Sequence, residues 1–341
     1  RSFAELMFRG KQTLSALAEQ VGPLAEATGR DIGAFARSLR GKGLDAPADI
    51  LKYFREREHL FFPSFSDRGG TLAALKERFP RERDGIIRRA EKLLSGSYDL
   101  LGHTGLSFGG ALPDWHFDPI ARKHSPLRHW SRFDENDPSE TGDKKAIWEL
   151  NRHQYFTTLG QAYWITGDET FADAFLAHVQ DWIEKNPPKL GLNWISSLEI
   201  AYRSISWIWA FHYFKNSSSF RPEIFVKMLN GLVCNAQHIE RYLSTYSSPN
   251  THLTGEALGL YFIGTFLRGF AGAERWARIG YEILIGELER QIRADGGYVE
   301  QATHYQRYTA DFYLALAILR RAEGRRLDTV HEAKLAKLLE F

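Results

Sequence analysis

Apolar side chains recur every three to four residues through most of the chain, which is the pattern of amphipathic helices. In the first 95 residues this pattern is short and interrupted. Glycine, proline and turn-rich stretches separate the segments there, notably at Gly22-Pro23 and over 61–70. Helices are predicted over 14–21, 32–39, 50–54 and 72–94.

From residue 144 onward the helical pattern becomes regular, and short breakers such as TGDE and YSSPN separate the apolar runs. Helices of similar length with short connectors pack as antiparallel hairpins. The run that begins at Trp194 is apolar nearly all round, which indicates a helix covered on every side. The predicted helices span 144–166, 169–186, 194–215, 222–246, 252–269, 272–294, 304–323 and 329–339.

These patterns predict an all-α protein, and we expect an incomplete α/α toroid in which an outer ring of helices wraps an inner one. A long solenoid is the alternative. Residues 96–142 lack a helical period and are rich in Gly, Pro, His and Asp, and Tyr98–Phe108 can supply short strands. We predict an N-terminal helical segment over 1–95 and a toroid domain over 96–341, with one continuous domain over 1–341 as the alternative.

Composition narrows the function classes. The 341 residues carry a net charge of only +2, so nothing in the total indicates a nucleic-acid partner. One cysteine excludes an internal disulfide and a cysteine-rich zinc site. No apolar run reaches the roughly 20 residues that span a bilayer. The N-terminus shows no secretory signal; a removed signal would imply a periplasmic or secreted protein, and otherwise a cytoplasmic one.

Polar side chains concentrate where three of the predicted helices begin. The stretch Asp295–Tyr313 opens with Asp-Gly-Gly and then places Glu300, Gln301, His304, Tyr305, Arg307 and Tyr308 within about three turns. A cation beside Tyr305 would favour its phenolate and lower its pKa below the usual value of about 10. A tyrosine tuned in this way can act as a general acid and base. A solvated helix start is the alternative interpretation.

The second polar group is Ser247–Glu256, in which His252 and Glu256 lie one helical turn apart. Asn250 can cap the helix, or its amide and the helix N-terminus can hold a substrate carboxylate. His252 can equally be a satisfied core histidine. Three helix starts that carry Asn, His, Tyr, Arg and Glu predict one cavity rimmed by helix ends.

The third group comes from the irregular region and the helices after it. Its candidate substrate-binding residues are Trp115, His116, Asp118, Glu149, Asn151, Arg152, His153, Asn193, Trp194, Glu199 and Arg203. Glu199 and Arg203 have the spacing of a favourable helix pair, and a structural ion pair is the main alternative to a role in the site. The aromatic content, 9 Trp, 14 Tyr and 23 Phe, suits sugar binding as well as a large core.

The sequence gives little indication of a metal site or a nucleotide-binding site. His252 with Glu256 and Glu149 with His153 have ligand-like spacing, but neither forms an HExxH motif. No glycine-rich loop follows a predicted strand. We therefore expect no metal and no cofactor.

Five stretches together resemble the heparinase II/III-type polysaccharide lyase family. They are DWHFDP (114–119), GDKKAIWELNRHQ (142–154), NPPKLGLNWISSLEIAYRSISW (186–207), SPNTHLTGEALGL (248–260) and DGGYVEQATHYQRY (295–308). The resemblance implies a helical toroid followed by a C-terminal β-sandwich, which we expect to be absent from this chain. Whether that domain would hold a structural divalent metal is left open. It also implies β-elimination on a uronate-containing glycan, most of all a heparan sulfate or heparin-like glycosaminoglycan.

The resemblance also implies roles for individual residues. Tyr305 matches the family's acid, which is also the base in some members, Asn250 the carboxylate-neutralising region and His252 the adjacent histidine. Glu256, His304 and Arg307 are expected to line the substrate site. The related sequences often read Asn-Asn-His, whereas this chain reads Asn-Thr-His with Thr251 in the second position.

Two other interpretations stay open. A glycoside hydrolase on the same toroid would need two opposed carboxyl groups, for which Asp118, Glu149, Glu256 and Glu300 are candidates. A non-catalytic glycan-binding scaffold would use the aromatic and arginine side chains equally well. The sequence indicates an acidic polysaccharide as partner and leaves the oligomeric state undetermined.

Overall fold

A computed structural model gives the fold and describes residues 2–21, 24–58, 60–134 and 137–341, with backbone alone over 24–31. The predicted break at Gly22-Pro23 lies outside the described residues. The N-terminal third is helical, as the sequence predicts. Its helices are α1 Phe3–Val21, α2 Leu24–Arg40, α3 Pro47–Glu56, α4 Arg68–Arg78 and α5 Pro80–Leu94.

Among its described residues, the irregular region contains four short strands, of which the first two confirm the strands predicted over Tyr98–Phe108. Strands β1 Ser97–Leu100 and β2 His103–Ser107 pair antiparallel with Ser97 opposite Ser107. Strands β3 Phe117–Asp118 and β4 Lys123–His124 form a second antiparallel pair. Within the described ranges, these two small pairs are the β-sheets of the protein.

Hairpins of helices make up the rest of the chain, which confirms the predicted incomplete α/α toroid. Helices α7, α9, α11 and α13 pack successively as the inner layer, and α8, α10, α12 and α14 lie outside them. Their bounds are α6 Lys144–Asn151, α7 Tyr155–Thr166, α8 Thr170–Lys185, α9 Ser197–Phe214, α10 Pro222–Arg241, α11 Thr251–Phe266, α12 Ala273–Gln291, α13 Thr303–Ala322 and α14 Thr329–Glu340.

Helices α9 and α11 are buried on nearly every side, as their apolar sequences predict. Small residues let α11 approach its neighbours closely. A Cβ on Gly259 would lie 2.5 Å from the Ala201 Cβ of α9, and one on Gly264 would lie 2.4 Å from the Ala277 backbone nitrogen of α12. Glycine at these positions therefore allows α11 to pack closely against α9 within the inner layer and against α12 in the outer layer.

The prediction of one continuous helix over 144–166 is wrong. The run 144–166 forms two helices, because His153 adopts a left-handed backbone conformation with φ of 57°. The buried His153 ring accepts a hydrogen bond from Trp207 Nε1 at 2.9 Å, and this contact holds the break in place. The interruption turns Arg152 out of the helix toward α9.

The packing of α1 also departs from its pattern. Leu14, Leu17 and Val21, the apolar face that predicts the helix, are 69%, 50% and 90% exposed. The opposite, polar face contacts the toroid instead. Gln12 donates to the carbonyls of Arg241 and Leu243, and the buried Glu19 pairs with Arg241 at 3.0 Å.

One hydrophobic core runs through both predicted domains, since α5 packs on α7 while α2 and α3 pack on α10. A division at residue 95 stays a prediction. Among the described residues, no helix combines the length and the apolar character that crossing a membrane requires.

Candidate active site

The starts of α11 and α13 meet through the side chain of Asn250. Its Oδ1 accepts a hydrogen bond from the His252 backbone nitrogen at 3.1 Å, which caps α11. Its Nδ2 donates to Glu300 Oε1, also at 3.1 Å, in the segment that leads into α13. The two contacts fix the orientation of the amide, and an amide nitrogen carries a second N–H beyond the one that Glu300 accepts.

Exposed proton-handling groups flank this contact. His252 is exposed in the first turn of α11, and Tyr305 is 42% exposed in the first turn of α13. The Tyr305 ring centroid lies 5.7 Å from that of His304 and 6.4 Å from that of Tyr308. His304 and Arg307 are exposed as well. A polar, accessible surface therefore covers the beginning of both helices.

Tyr308 connects this surface to α9. Its ring centroid lies 5.9 Å from that of Tyr202, and the two hydroxyl groups interact. Burial raises the pKa of Tyr308 to about 12, although its hydrogen bond with Tyr202 opposes the rise. Tyr308 therefore stays neutral at physiological pH and can donate a hydrogen bond.

Arg152 forms an ion-pair cluster beside these tyrosines. Its guanidinium makes two bonds to Glu199, at 2.6 and 2.9 Å, and one to Glu149 at 2.7 Å, and it lies 4.8 Å from the Tyr202 ring centroid. Burial opposes the Arg152 charge, but the bonds and attraction from both glutamates outweigh it and raise the pKa of Arg152. Burial raises the pKa of Glu149, which Arg152 partly offsets.

The expected pairing of Glu199 with Arg203 is wrong as a direct contact. Glu199 pairs with Arg152, whereas Arg203 is fully buried and donates to the Asn193 carbonyl at 3.4 Å. Its guanidinium lies 4.3 Å from the Trp182 ring centroid. Burial lowers the pKa of Arg203 to about 9. A helical spacing of four residues could not show that the break at 152–154 supplies a better partner.

Several predicted site residues belong to one buried polar network. Asn193 Nδ2 donates to Asn151 Oδ1 at 2.9 Å, and Asn151 Nδ2 donates to the Trp115 carbonyl at 3.0 Å. Trp115, Trp194 and His153 are also buried. This network ties the loop at 115 to α6 and to the segment before α9. These side chains can therefore influence a ligand only through other residues.

Three more predicted residues hold loops in place. The buried Asp118 accepts from the backbone nitrogens of Ile120 and Asp143. His116 contacts the Lys185 carbonyl at 3.2 Å, and burial lowers its pKa. Glu256 accepts from the Ser244 backbone nitrogen at 2.7 Å and from its hydroxyl at 2.6 Å, and so fixes the loop that carries Asn250.

A cavity of about 340 Å³ opens between α7, α9, α11 and α13. Tyr202 and Tyr308 line it together with Gln154, Trp209 and Asp311. The sequence did not single out Tyr202 and Trp209, because both lie in a helix whose apolar character hides individual roles. Their spacing relative to Glu199 and Ser206 on α9 is the signal that could have found them.

The four carboxylates considered for hydrolysis are already engaged, Asp118 and Glu256 with backbone groups, Glu149 with Arg152 and Glu300 with Asn250. None of the four is among the residues that line the cavity. Within the part of the chain that the structure describes, no group of three metal-ligating side chains converges.

Comparison with known proteins identifies relatives of this chain. The family model for the heparinase II/III N-terminus matches residues 37–336. A heparin-sulfate lyase from Bacteroides thetaiotaomicron is 33% identical over 199 residues, which cover 57% of this chain and 28% of that protein. A heparin-sulfate lyase from Pedobacter heparinus is 31% identical over 278 residues, 79% of this chain and 37% of that protein.

Solved structures share the fold. The crystal structure of heparinase III has a TM-score of 0.64 at 22% identity, covering 90% of this chain and 44% of that one. A heparan sulfate lyase from Pedobacter heparinus also has a TM-score of 0.64, at 20% identity, covering 91% and 47%. The chain thus spans 28% to 37% of these curated relatives and less than half of these solved chains.

Proposed function

The chain belongs to the heparinase II/III family, and on this premise we propose that it forms the helical part of a polysaccharide lyase. The proposed substrate is a uronate-containing acidic glycan, heparan sulfate or a heparin-like glycosaminoglycan. Curated relatives named heparin-sulfate lyase support this substrate class.

The observation that carries the proposal is the contact between Asn250 and Glu300. It joins the start of α11, where His252 is exposed, to the segment that leads into α13, where Tyr305 is exposed in the first turn. The α11 N-terminus adds a partial positive charge, which favours a carboxylate at the same place.

In the proposed reaction, a uronate carboxylate binds at Asn250 through the second N–H of its amide. Neutralising the carboxylate stabilises the enolate-like charge that develops when the C5 proton leaves. The C5–H bond breaks as a double bond forms between C4 and C5, the C4–O4 bond breaks, and the departing O4 receives a proton. Tyr305 acts as general acid and base, and His252 lies at the C5 side.

The Asn-Thr-His departure fits Asn250 as the neutralising residue. Thr251 is 3% exposed, so its side chain points away from an incoming ligand. Arg152 is a weaker candidate for the same role, since two glutamates already accept its hydrogen bonds. We propose that Arg152, Glu149 and Glu199 shape the adjacent wall of the site together with Tyr202 and Tyr308.

The test is the Tyr305→Phe variant of the natural-length protein. We expect kcat on heparan sulfate to fall by about 10³-fold or more, in the range for loss of a positioned acid–base group, with Kd changed less than about threefold. Tyr246→Phe is the matched control, because Tyr246 is also exposed and lies on the loop before α11. Equal turnover in Tyr305→Phe and the control would remove Tyr305 from the mechanism.

A further inference from the structure

Two cavities open at the end of the toroid opposite Tyr305, where α11 and α13 end. One, of about 430 Å³, lies between α11, α12 and α13, and the other, of about 130 Å³, lies beside α3. Both are lined by Thr265 and Arg268, so they meet there. Arg320 in the larger cavity is separated from Tyr305 by fifteen residues of α13, roughly 22 Å at the helical rise.

Arginine dominates the charge of these joined cavities, which we call the distal groove. Three glutamates, Glu58, Glu274 and Glu323, also line it. The arginines are more numerous: Arg57, Arg268, Arg278, Arg320 and Arg325. Two of the five, Arg320 and Arg325, come from the sequence RRAEGRR at 320–326.

The glutamate nearest to Arg320 is occupied by neutral donors. Glu323 accepts from the Tyr261 hydroxyl at 3.0 Å and from the Thr265 hydroxyl at 3.1 Å, one on each oxygen. Arg320 comes only within 3.8 Å of it. Glu323 therefore holds two neutral donors and also compensates part of the Arg320 charge, but the five arginines that line the groove still outnumber its three glutamates.

Arg320 is nevertheless held in a fixed position. Its guanidinium lies 4.4 Å from the Tyr281 ring centroid, a stacking distance. Its Nε is buried and finds no hydrogen-bond partner among the described residues, and an Nη contacts the Arg326 carbonyl at the long distance of 3.5 Å. Arg268 and Arg325 are exposed at the rim of the groove. An oriented guanidinium beside two exposed ones matches a tetrahedral or planar oxyanion.

We propose that the distal groove is a second binding site for oxyanion groups, the sulfates and carboxylates of an acidic polysaccharide. That the bound polyanion is the substrate polysaccharide rests on the proposed lyase function. That the groove binds oxyanions rests only on its arginine side chains. A substrate chain that occupies both this site and the polar surface around Tyr305 gains effective concentration at the second contact. The site therefore strengthens binding of long chains and leaves the bond-breaking step on short ones unchanged.

The experiment compares two double variants of the natural-length protein, each made in a Tyr305→Phe background so that the ligand is not consumed. Arg268→Gln with Arg325→Gln removes two exposed arginines of the groove. Arg321→Gln with Arg326→Gln removes two exposed arginines at the same helix end that do not line it, for an equal change in net charge. Calorimetry measures binding of a long heparan sulfate oligosaccharide, with sodium sulfate and sodium phosphate as separate competitors.

We expect the groove variant to bind the long oligosaccharide roughly tenfold more weakly, as for loss of charge-assisted hydrogen bonds, and the control to change less than twofold. Turnover of a short oligosaccharide by the groove variant with Tyr305 intact should equal wild type. Equal weakening in both double variants, or none in either, would overturn the proposal. Binding of phosphate in the groove that leaves the affinity for the oligosaccharide unchanged would also overturn it, because it would indicate a site for free phosphate.

These outcomes are separable from failure of the proposed function. If the wild type produces no unsaturated uronate but the groove variant still loses affinity for the oligosaccharide, the distal groove stands and the lyase assignment falls. If the wild type forms the product but the groove variant keeps its affinity for the oligosaccharide, the lyase assignment stands and the distal groove proposal falls.

Discussion

Substitution of Glu256 by glutamine should change how the stability of the protein depends on pH. Glu256 is 1% exposed, and burial raises the pKa of its carboxyl from 4.5 to about 8, although two hydrogen bonds from Ser244 oppose the rise. The native protein therefore keeps a proton that the unfolded chain releases above pH 4.5. The free energy of unfolding should fall as pH rises through this interval and level off above about pH 8.

The difference between a pKa of 4.5 in the unfolded chain and about 8 in the native protein changes the free energy of unfolding by at most about 5 kcal/mol, at about 1.36 kcal/mol for each pKa unit. Glutamine can accept from the Ser244 nitrogen and donate to its hydroxyl, but it cannot ionise. We therefore expect wild type to lose at least ~2 kcal/mol more than Glu256→Gln between pH 5.5 and 8.5.

Urea unfolding at the two pH values measures this difference. Histidines also titrate in the range, but they are common to both proteins and cancel in the comparison. Glu184→Gln, in an exposed pair with Lys227, is the control and should follow wild type within about 0.5 kcal/mol. A Glu256→Gln protein that loses stability with pH as steeply as wild type would refute the reasoning.

Two further substitutions test the contacts around the site. Glu300→Ala should lower kcat roughly 10- to 100-fold, because it removes the acceptor that orients the Asn250 amide. Glu300→Gln should keep kcat within about threefold of wild type, because its side-chain carbonyl can accept the same hydrogen bond. Equal losses of kcat in the two variants would make Glu300 a catalytic base instead. Arg152→Ala should cost about 3 kcal/mol in urea unfolding, because it leaves Glu149 and the buried Glu199 unpaired. Arg83→Ala, in an exposed pair, should cost less than about 0.5 kcal/mol, and a similar value for Arg152→Ala would show that its cluster is only a surface pair.

Hydrophobic periodicity predicted the toroid, because helices of similar length with short connectors pack as hairpins and a helix that is apolar nearly all round, such as α9, must be covered on every side. It could also place a cap at Asn250, because an asparagine before an apolar run is a local signal. Periodicity could not predict features that depend on contacts between residues distant in sequence. The left-handed His153, the choice of Arg152 as the partner of Glu199, and the exposed apolar face of α1 all depend on residues distant in sequence.

The same limit explains the candidate site. Spacing places Asn250, His252 and Tyr305 at helix starts, but only the fold brings Glu300 against Asn250 and Tyr202 against Tyr308. Residues such as Asn151 and Asn193 look like ligand-binding groups in sequence, because a buried amide network and a sugar site use the same side chains.

The most direct test of the central claim is the ultraviolet absorbance of the unsaturated uronate that elimination leaves at the new chain end. The natural-length protein would be incubated separately with heparan sulfate, heparin, hyaluronan, chondroitin sulfate and alginate. We predict that absorbance rises with heparan sulfate or heparin and that the rise disappears in Tyr305→Phe. New reducing ends without any rise would contradict elimination and indicate hydrolysis, and retained glycan binding with neither signal would indicate a non-catalytic scaffold.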